Sequence, residues 1–404
     1  MVFIGLDWAR TKHDFIALDA RGEELRRFAF PHDSLAFATL EREIAALEPE
    51  PSQVLVTLEL HDGALLAWLL EQGYTVFGIN PKSADRAREQ YRPSGGKDDA
   101  IDAFVLADLC RVHHGKWRPV QPQSQTTQAL HAWVRLRTRL TQEKTAACQR
   151  LRALLDEWCP ALSALCDDLN RQWQQALLAE LPLHEDLCAA HGNRVNGWLK
   201  EHRLRAESRS RLQALRSESP LHIPPGKKSS LRFEIRYLAE TIAGLTRRID
   251  EIDAELESLT EGHPDAQLFQ SLPVKGVFTV SALLAGFGQN RESSPSWREL
   301  ASRWGAAPVT VQSGKTRHVK RRRACDHTMS QVLIFFSFKT AFTPGCWAAD
   351  YYRAKREKGV DHYAALRCLS QRWIKVLHRL WLDRVPYDEQ LHQQNRRLHG
   401  AGIA

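Results

Sequence analysis

The chain has 404 residues, 43% of them hydrophobic and 26% charged, which is enough for two or three domains with apolar cores. Its eight cysteines form no Cys-x-x-Cys pair, so we expect neither a zinc site nor a disulfide framework, and a cytoplasmic setting. No uncharged apolar run is long enough to cross a membrane, and the first residues lack the basic start of a signal peptide.

Charge is unevenly distributed along the chain. Residues 1–120 carry 14 basic and 19 acidic side chains, a net charge of −5, whereas residues 121–404 have a net charge of +13. This division suits a polyanionic partner together with a metal site better than a uniformly basic binding protein. An adaptation for solubility alone is the alternative.

In the first 120 residues, short apolar runs alternate with helical patterns, which predicts an α/β sheet. The predicted strands are Val2–Leu6, His13–Leu18, Glu24–Phe30, Val54–Glu59 and Tyr74–Ile79. Helices are predicted from an N-cap at Ser34 to Leu47, over Ala64–Glu71, and after the Gly95-Gly96 break.

Four carboxylates occupy informative positions in this part of the chain. Asp7 and Glu59 each end an apolar strand, at the edge where open α/β sheets place their sites. Asp99 and Asp102 are three residues apart and project from one face of a helix. Each acid alone is most simply a solvated surface group. Gathered together they would repel, and a divalent cation with oxygen ligands would relieve that repulsion.

The middle of the chain is predicted to be helical. A polar linker at 121–127 precedes a long pattern from Gln128 to Trp158, and a second pattern from Leu231 to Leu259 has apolar residues at the three- and four-residue spacing of a coiled coil. The two helices could pair with each other or with another subunit. Residues 161–228 are predicted to be an inserted module of short helices, and we assign it no chemistry.

Two further motifs follow after residue 266. The run from Leu272 to Val277 resembles a helix-hairpin-helix turn, in which Lys275 and Gly276 would meet a phosphate, although a plain helical turn is the alternative. Ser313-Gly314-Lys315 is predicted to be a loop beside a run of cations, namely Arg317, Lys320, Arg321, Arg322 and Arg323. A serine needs activation to act as a nucleophile, and a phosphate held by cations would be a suitable electrophile. A solvated loop is the simpler reading.

Taken together, these motifs resemble the DEDD-type, RuvC-like insertion-sequence transposases, described as bridge-RNA-guided serine recombinases, with Piv-type DNA invertases as relatives. The matching acids are Asp7, Glu59, Asp99 and Asp102, and the matching serine is Ser313, which follows Gly305-x-x-Pro308. Asp98 competes with Asp99, but the spacing from Lys97 favours Asp99. The Gly-Asn pair that the family carries near Cys325 is missing here.

The resemblance implies an α/β plus all-α protein with a RuvC/ribonuclease-H-like catalytic domain at 1–120 and a coiled-coil region at 121–265. A mostly helical transposase domain at 266–385 and a frayed tail at 386–404 would follow. It implies Mg²⁺, or else Mn²⁺, on the four acids, which act with Ser313 as the catalytic residues. Implied partners are target and donor DNA, a structured guide RNA and further copies of the chain in a dimer or tetramer, in the nucleoid-associated bacterial cytoplasm. The residues expected to contact nucleic acid are Lys97, Lys275, Gly276, Gly314, Lys315, Arg317, Lys320, Arg321, Arg322 and Arg323.

Three functions are consistent with these features. The first is a transposase that cuts and rejoins DNA through a covalent phosphoserine, with the guide RNA choosing the sequence by base pairing. In such a transposase, the coiled coil would bring the acids of one subunit to the Ser313 loop of another. The second is a junction-resolving nuclease that uses the same acids and a metal-activated water. The third is a non-catalytic nucleic-acid-binding protein.

Overall fold

The structure is a computed structural model that describes residues 1–59, 63–91, 99–292, 294–314 and 316–398. For positions 81, 82, 99, 100 and 395–398 the description covers the backbone alone. The chain divides into two compact units, Met1–Gln123 and Ser124–Ala404. Among the described helices, none combines the length and the apolar character that crossing a bilayer requires.

The first unit is built on a five-stranded mixed sheet, as the alternating pattern predicts. Its strands are β1 (Val2–Trp8), β2 (Lys12–Leu18), β3 (Glu24–Pro31), β4 (Val54–Leu58) and β5 (Thr75–Gly78), in the spatial order β3-β2-β1-β4-β5. Strands β1, β4 and β5 are parallel, whereas β2 and β3 join as antiparallel strands. The five predicted strands are therefore confirmed to within two residues.

In the described part of the first unit, four helices cover the sheet. They are α1 (Ala36–Leu47), α2 (Ala64–Glu71), α3 (Pro81–Tyr91) and α4 (Asp99–His113), with short 3₁₀ turns at 51–53 and 114–116. Helices α1 and α2 pack on the face that carries Ile4 and Val56, and α4 packs on the opposite face. The prediction of Ser34 as the N-cap of α1 is wrong. The cap position is Leu35, whose N–H donates to Asp33 Oδ1 at 2.9 Å.

Helix α4 approaches β1 unusually closely, and a glycine makes this possible. A Cβ placed on Gly5 would lie 1.9 Å from the carbonyl oxygen of Ala103 and 2.6 Å from the amide nitrogen of Ala107. Both contacts are to backbone atoms, which cannot rotate away as a flexible side chain can. The small residues at positions 5, 103 and 107 therefore fix the distance between the helix and the sheet.

The described part of the second unit is mostly helical, with a short two-stranded hairpin. Its helices are α5 (Gln125–Trp158), α6 (Pro160–Leu165), α7 (Gln172–Glu180), α8 (His184–Ala189), α9 (Gly192–Glu201), α10 (Ala206–Leu215), α11 (Pro225–Glu261), α12 (Ala266–Gln270), α13 (Val277–Phe287), α14 (Trp297–Arg303), α15 (His327–Ala341), α16 (Trp347–Glu357), α17 (His362–Asp383) and α18 (Glu389–Leu398). The antiparallel strands β6 (Val309–Ser313) and β7 (Thr316–Lys320) form the hairpin between α14 and α15.

Helices α5 and α11 pack against each other and support two separate cores. Arg137 donates to both carboxylate oxygens of Asp253, at 2.6 and 2.9 Å, and so ties the two helices together. One core joins them to α6–α10, and the other joins them to the helices after residue 266. The apolar spacing of α11 is thus buried within the chain, and a coiled coil between subunits stays a prediction.

The segment after Arg384 is ordered, so the prediction of a frayed tail is wrong for residues 386–398. The backbone N–H of Tyr387 donates to Ser271 Oγ at 2.7 Å, and its hydroxyl accepts from the indole N–H of Trp347 at 3.0 Å. The backbone N–H of Trp347 donates to Glu389 Oε1 at 2.9 Å. These bonds anchor the start of α18. The sequence does not predict them, because a polar segment of this kind resembles a disordered tail. Residues 399–404 lie outside the described part.

The first prediction concerns the contact between β1 and α4. Gly5→Ala should lower the free energy of unfolding by about 3 kcal/mol or more, because the added methyl group has to displace the helix backbone. Chemical denaturation of the full chain measures this loss. The control is Gly244→Ala in α11, where a Cβ meets no heavy atom within 4 Å. That change should be neutral or stabilise the helix by up to about 1 kcal/mol. Equal effects of the two substitutions would contradict the prediction.

Candidate active site

The two strand-end acids lie side by side on one face of the sheet. The parallel register pairs Leu6 with Leu58, so Asp7 and Glu59 are the next residues along two adjacent strands. Side chains alternate along a strand, and Phe3 and Leu55 point towards α4, so Asp7 and Glu59 belong to that same face. The expectation that the strands are neighbours is confirmed, and their carboxylates share an edge.

Helix α4 brings a third acid to this face. Asp102 precedes Ala103 at the close contact with Gly5 and is 5% exposed. Helix α4 begins at Asp99, one turn earlier, but the Asp99 side chain lies outside the described part. Asp98 and Lys97 also lie outside it, so the choice between Asp98 and Asp99 stays a prediction.

The guanidinium of Arg88, on α3, lies among these acids. Its Nε donates to Asp102 Oδ1, and its Nη1 donates to Asp85 Oδ1 at 2.7 Å. Its Nη2 lies 3.6 Å from Glu59 Oε1. The sequence reading missed Arg88, because an arginine in a polar helix normally predicts a solvated face. Its i,i+3 spacing from Asp85 gives no hint of the two acids on other elements.

The charged groups around Glu59 change its pKa. Burial raises the pKa of Glu59, and the charges of Asp7, Asp85 and Asp102 raise it further, while Arg88 opposes them. The negative charges of Asp7 and Asp102 are therefore felt at Glu59, as expected for converging carboxylates. A cation is needed where these acids meet, and Arg88 provides one.

The donor chemistry of this face fits a hard divalent cation. Carboxylate oxygens are the ligands preferred by Mg²⁺ and Mn²⁺, and Asp7, Glu59 and Asp102 would hold such an ion. Within the described residues, no three acidic, histidine or cysteine side chains are yet close enough together to form a metal site. The guanidinium of Arg88 instead bridges Glu59 and Asp102.

A further acid, which the sequence analysis missed, lies beside Asp7 on the neighbouring strand. Asp14 on β2 is the direct antiparallel partner of Asp7 and is 8% exposed. Its Oδ1 lies 3.3 Å from Lys12 Nζ, which offsets part of its charge. The signal was present in the sequence, since the short connection at residues 9–11 joins β1 to β2 as an antiparallel pair and sets the two aspartates opposite each other. Asp14 therefore adds negative charge beside the candidate site.

A stack of rings lies on the other face of the sheet at the same strand ends. The rings of Trp8 and His13 are parallel, with centroids 3.5 Å apart. His13 Nδ1 accepts from the Ala9 N–H at 3.1 Å, and its Nε2 lies 2.9 Å from His32 Nδ1. Burial, together with the neighbouring His32, lowers the pKa of His13 to about 4. The neutral ring therefore helps to hold the end of β1 next to Asp7.

Ser313 lies at the tip of the β6–β7 hairpin rather than in an irregular loop, which corrects the predicted loop. It is the last residue of β6, pairs with Thr316 and is exposed. Gly314, directly after it, has φ of +57°, a conformation that favours glycine in a tight hairpin turn. The hairpin thus presents a hydroxyl group to its surroundings on a short, defined strand.

The base of the hairpin is anchored although its tip is exposed. Gly305 has φ of +71°, and a Cβ there would lie 2.7 Å from Cys325 Sγ, so the chain leaves α14 by a turn that needs glycine. Arg322 Nε donates to the Ala307 carbonyl at 3.4 Å, across the two ends of the hairpin. The motif Gly305-x-x-Pro308 therefore directs the strand that carries Ser313.

Cations lie along the second strand of the hairpin and directly after it. Arg317 and Lys320 lie on β7 and are exposed, and Arg321 and Arg323 are exposed directly after it. In the hairpin register, His318 and Lys320 share the face of Ser313, whereas Arg317 lies on the other face. Lys315 lies outside the described part. The exposed positive charge is available for phosphate contacts.

Lys275 and Gly276 lie in the connection between α12 and α13 and are both exposed. Gly276 is the N-cap of α13 with φ of −64°, and a Cβ there would meet open space. Neither the backbone nor a neighbour therefore requires glycine at this position. Close approach of a phosphate backbone would give it a role, and this function of the turn stays a prediction.

The second prediction concerns Arg88. Arg88→Met removes the cation among partly buried acids, so the metal-free protein should lose about 2 kcal/mol of unfolding free energy. Added Mg²⁺ or Mn²⁺ should raise its melting temperature more than that of the wild type, because the ion replaces the lost charge. Thermal melts with and without the ion measure both effects. The control is Arg86→Met, an exposed arginine on the same helix. An identical response of the two variants would refute the role of Arg88.

The third prediction concerns pH. Because the pKa of His13 is about 4 in the folded chain and near 6.5 when exposed, the unfolded state binds a proton first as the pH falls. Stability should therefore be lost between pH 6.5 and 4, by about 2 kcal/mol from this group. His13→Gln should flatten the dependence of the melting temperature on pH in this range, while His222→Gln, at an exposed histidine, should not. An unchanged slope in His13→Gln would count against the assignment.

Comparison with protein families gives two matches that follow the chain in order. The model for DEDD transposases of the IS110 type, described as a transposase, matches residues 4–160 and covers the first unit with Asp7, Glu59 and Asp102. The model described as the transposase of the IS116/IS110/IS902 family matches residues 266–353, which contain the hairpin with Ser313.

Similar proteins align over almost the whole chain. The mini-circle putative transposase for IS117 of Streptomyces coelicolor is 27% identical over 96% of both chains. An uncharacterized 44.8 kDa protein of the insertion element IS116 from Streptomyces clavuligerus is 26% identical over 95% of both. An uncharacterized 42 kDa protein of IS900 from Mycobacterium paratuberculosis is 25% identical over 96% of this chain and 97% of its own. With both family matches in place and in order, the chain belongs to the IS110/IS116 family of insertion-sequence transposases.

Proposed function

We propose that this transposase is an RNA-guided recombinase, which cuts and rejoins DNA strands through a covalent phosphoserine and depends on Mg²⁺. Family membership makes DNA the substrate. The observation that carries the proposal is the convergence of Asp7, Glu59 and Asp102 on one face of the sheet, where their charges act on one another. Such a group of acids can act in catalysis by holding a cation beside a phosphate.

Mg²⁺ bound by these acids would stabilise the negative charge that develops on the scissile phosphate. Asp7 and Glu59 are fixed by adjacent strands, and Asp102 is fixed by the close packing of α4 on Gly5. Arg88 would leave Glu59 and Asp102 when the ion binds, because both cations require the same oxygens. The freed guanidinium then suits a phosphate oxygen, which it binds in the same planar geometry.

Ser313 is the proposed nucleophile. Its Oγ forms a bond to phosphorus, the bond from phosphorus to one deoxyribose oxygen breaks, and that oxygen leaves as a hydroxyl with the serine proton. The phosphoserine keeps the energy of the broken bond, so a hydroxyl from another strand can attack phosphorus and release the serine without an external energy source. The exposed cations of the hairpin would hold the phosphate backbone during both steps.

Guidance by RNA and assembly of several subunits complete the proposal. Exposed arginine and lysine side chains contact phosphates and position a nucleic acid without reading its sequence. Base pairing with a structured guide RNA would supply that reading. We further propose a dimer or tetramer, so that two DNA partners are cut and exchanged together.

One alternative has support of its own. The three described acids all belong to the first unit, so a metal-dependent nuclease of the RuvC type could use them with water as the nucleophile. Ser313 would then only contact phosphate. The two functions differ in whether a covalent link to the protein forms.

The fourth prediction distinguishes them. Ser313→Ala should lower DNA cutting by about 1000-fold or more and abolish the protein–DNA adduct, because the attacking oxygen is lost. Denaturing gels of a trapped reaction, followed by mass spectrometry of the DNA-linked peptide, measure both. The assay uses the full chain with Mg²⁺, the element DNA and its flanking non-coding RNA.

The matched control is Thr316→Ala. Thr316 is the hairpin partner of Ser313 and also carries a hydroxyl, so a general effect on the hairpin would appear in both variants. We expect Thr316→Ala to keep the adduct. Cutting that survives Ser313→Ala would favour the nuclease, and DNA linked to another residue would reject Ser313 as the nucleophile. Full activity of Asp7→Asn would reject both enzymes.

A further inference from the structure

The second unit contains a basic cavity that the proposed reaction does not use. Helices α14, α16 and α17 line an open cavity of about 490 Å³. Each long helix gives one face to it, since Tyr351 and Lys355 are four residues apart on α16, and Arg372 and Lys375 are three apart on α17. The cavity is thus built from regular elements of the C-terminal core rather than from loops.

Positive charge dominates the walls of this cavity. Of the eight described residues that line it, four are cations and none is acidic: the cations are Arg298, Lys355, Arg372 and Lys375. Like charges that converge on one concave surface repel each other. A ligand with several negative charges would relieve it.

Two aromatic rings hold the cations in place. The guanidinium carbon of Arg298 lies 4.8 Å from the Trp297 ring centroid, and Lys375 Nζ lies 5.8 Å from the same centroid. Lys355 and Arg372 lie 5.6 and 5.9 Å from the Tyr351 ring centroid. These cation–π contacts restrict the long side chains before a ligand arrives, which lowers the entropy lost on binding.

We propose that this cavity binds an unpaired strand of nucleic acid, with backbone phosphates on the four cations and a base or sugar against Trp297. Trp297 is half-buried and keeps apolar surface at the cavity wall. Aromatic side chains beside basic groups are the usual means of holding single strands without sequence preference. The chemistry is the same for RNA and DNA, so the experiment separates the two.

A duplex fits this site less well than a single strand. Its bases are stacked inside and its outer surface is convex, so it cannot place a nucleotide in a concave pocket without unpairing. Base pairs opened during strand exchange, or unpaired loops of an RNA, do offer such nucleotides. The proposal does not depend on RNA guidance or on the chemistry of Ser313, and it can fail or succeed separately from them.

The experiment measures binding of the full chain to labelled single-stranded RNA, single-stranded DNA and duplex DNA as a function of salt. The double variant Arg298→Gln/Lys375→Gln removes two exposed cations from the cavity and leaves the core intact. We expect affinity for at least one kind of single strand to fall about tenfold or more, and the salt dependence to decrease by about 1.4 in slope. Affinity for duplex DNA should change by less than about twofold.

The control variant is Arg247→Gln/Arg248→Gln, which removes the same charge from an exposed part of α11. Its single-strand affinity should stay within about twofold of the wild type, and melting temperatures check that both variants fold. A selective loss for RNA or for DNA supports the proposal and identifies the strand. Equal losses in the two double variants, an equal loss for duplex DNA, or no single-strand binding by the wild type would overturn it.

Discussion

The geometry of the acidic face depends on the contact between Gly5 and the backbone of α4. A backbone-to-backbone approach this close leaves no room for a side chain, and it sets the height of the helix above the sheet. Asp7 lies two residues beyond Gly5, and Asp102 immediately precedes Ala103, so the same contact sets how far apart these two acids lie. Glu59 is added by the strand register alone. Three carboxylates on three elements are thus positioned by one close packing contact and one pair of parallel strands.

Bringing these acids together is unfavourable, and the fold offsets this cost with charge from within the chain. Asp102 is almost completely buried, and Arg88 bonds to it while also reaching Glu59 and Asp85. An unpaired carboxylate at that depth would be strongly destabilising, so an arginine in this place lets the unit fold before any metal ion is bound. The same feature explains why the described acids do not already form a metal-binding group. Under the proposed function, folding and metal binding would make opposite demands on one set of oxygens.

Much of the first unit could be predicted from its sequence, because short apolar runs and strand alternation report burial directly. The positions of Asp7 and Glu59 followed from where those runs end. Arg88 could not be predicted, since its partners come from other elements and local pattern shows only a polar helix. The position of Asp14 could have been predicted, because the antiparallel register sets it opposite Asp7. The docking of residues 386–398 was missed for a related reason: polar bonds of Tyr387 and Glu389 fix it, and polar composition resembles that of a loose end.

The hairpin that carries Ser313 is exposed, unlike the acids, which are held by packing between a helix and the sheet. Its base is tied by Gly305, Cys325 and Arg322, while its tip is exposed and exposed cations lie along β7 and directly after it. A serine in such surroundings has the reactivity of an ordinary alcohol, because neighbouring cations alone do not remove its proton. Under the proposed function, the hydroxyl would become reactive only when a phosphate and a metal ion held by the acids are both present. Cutting would then require the acids, the serine and the correct DNA at the same time, so an exposed serine alone would not cut DNA.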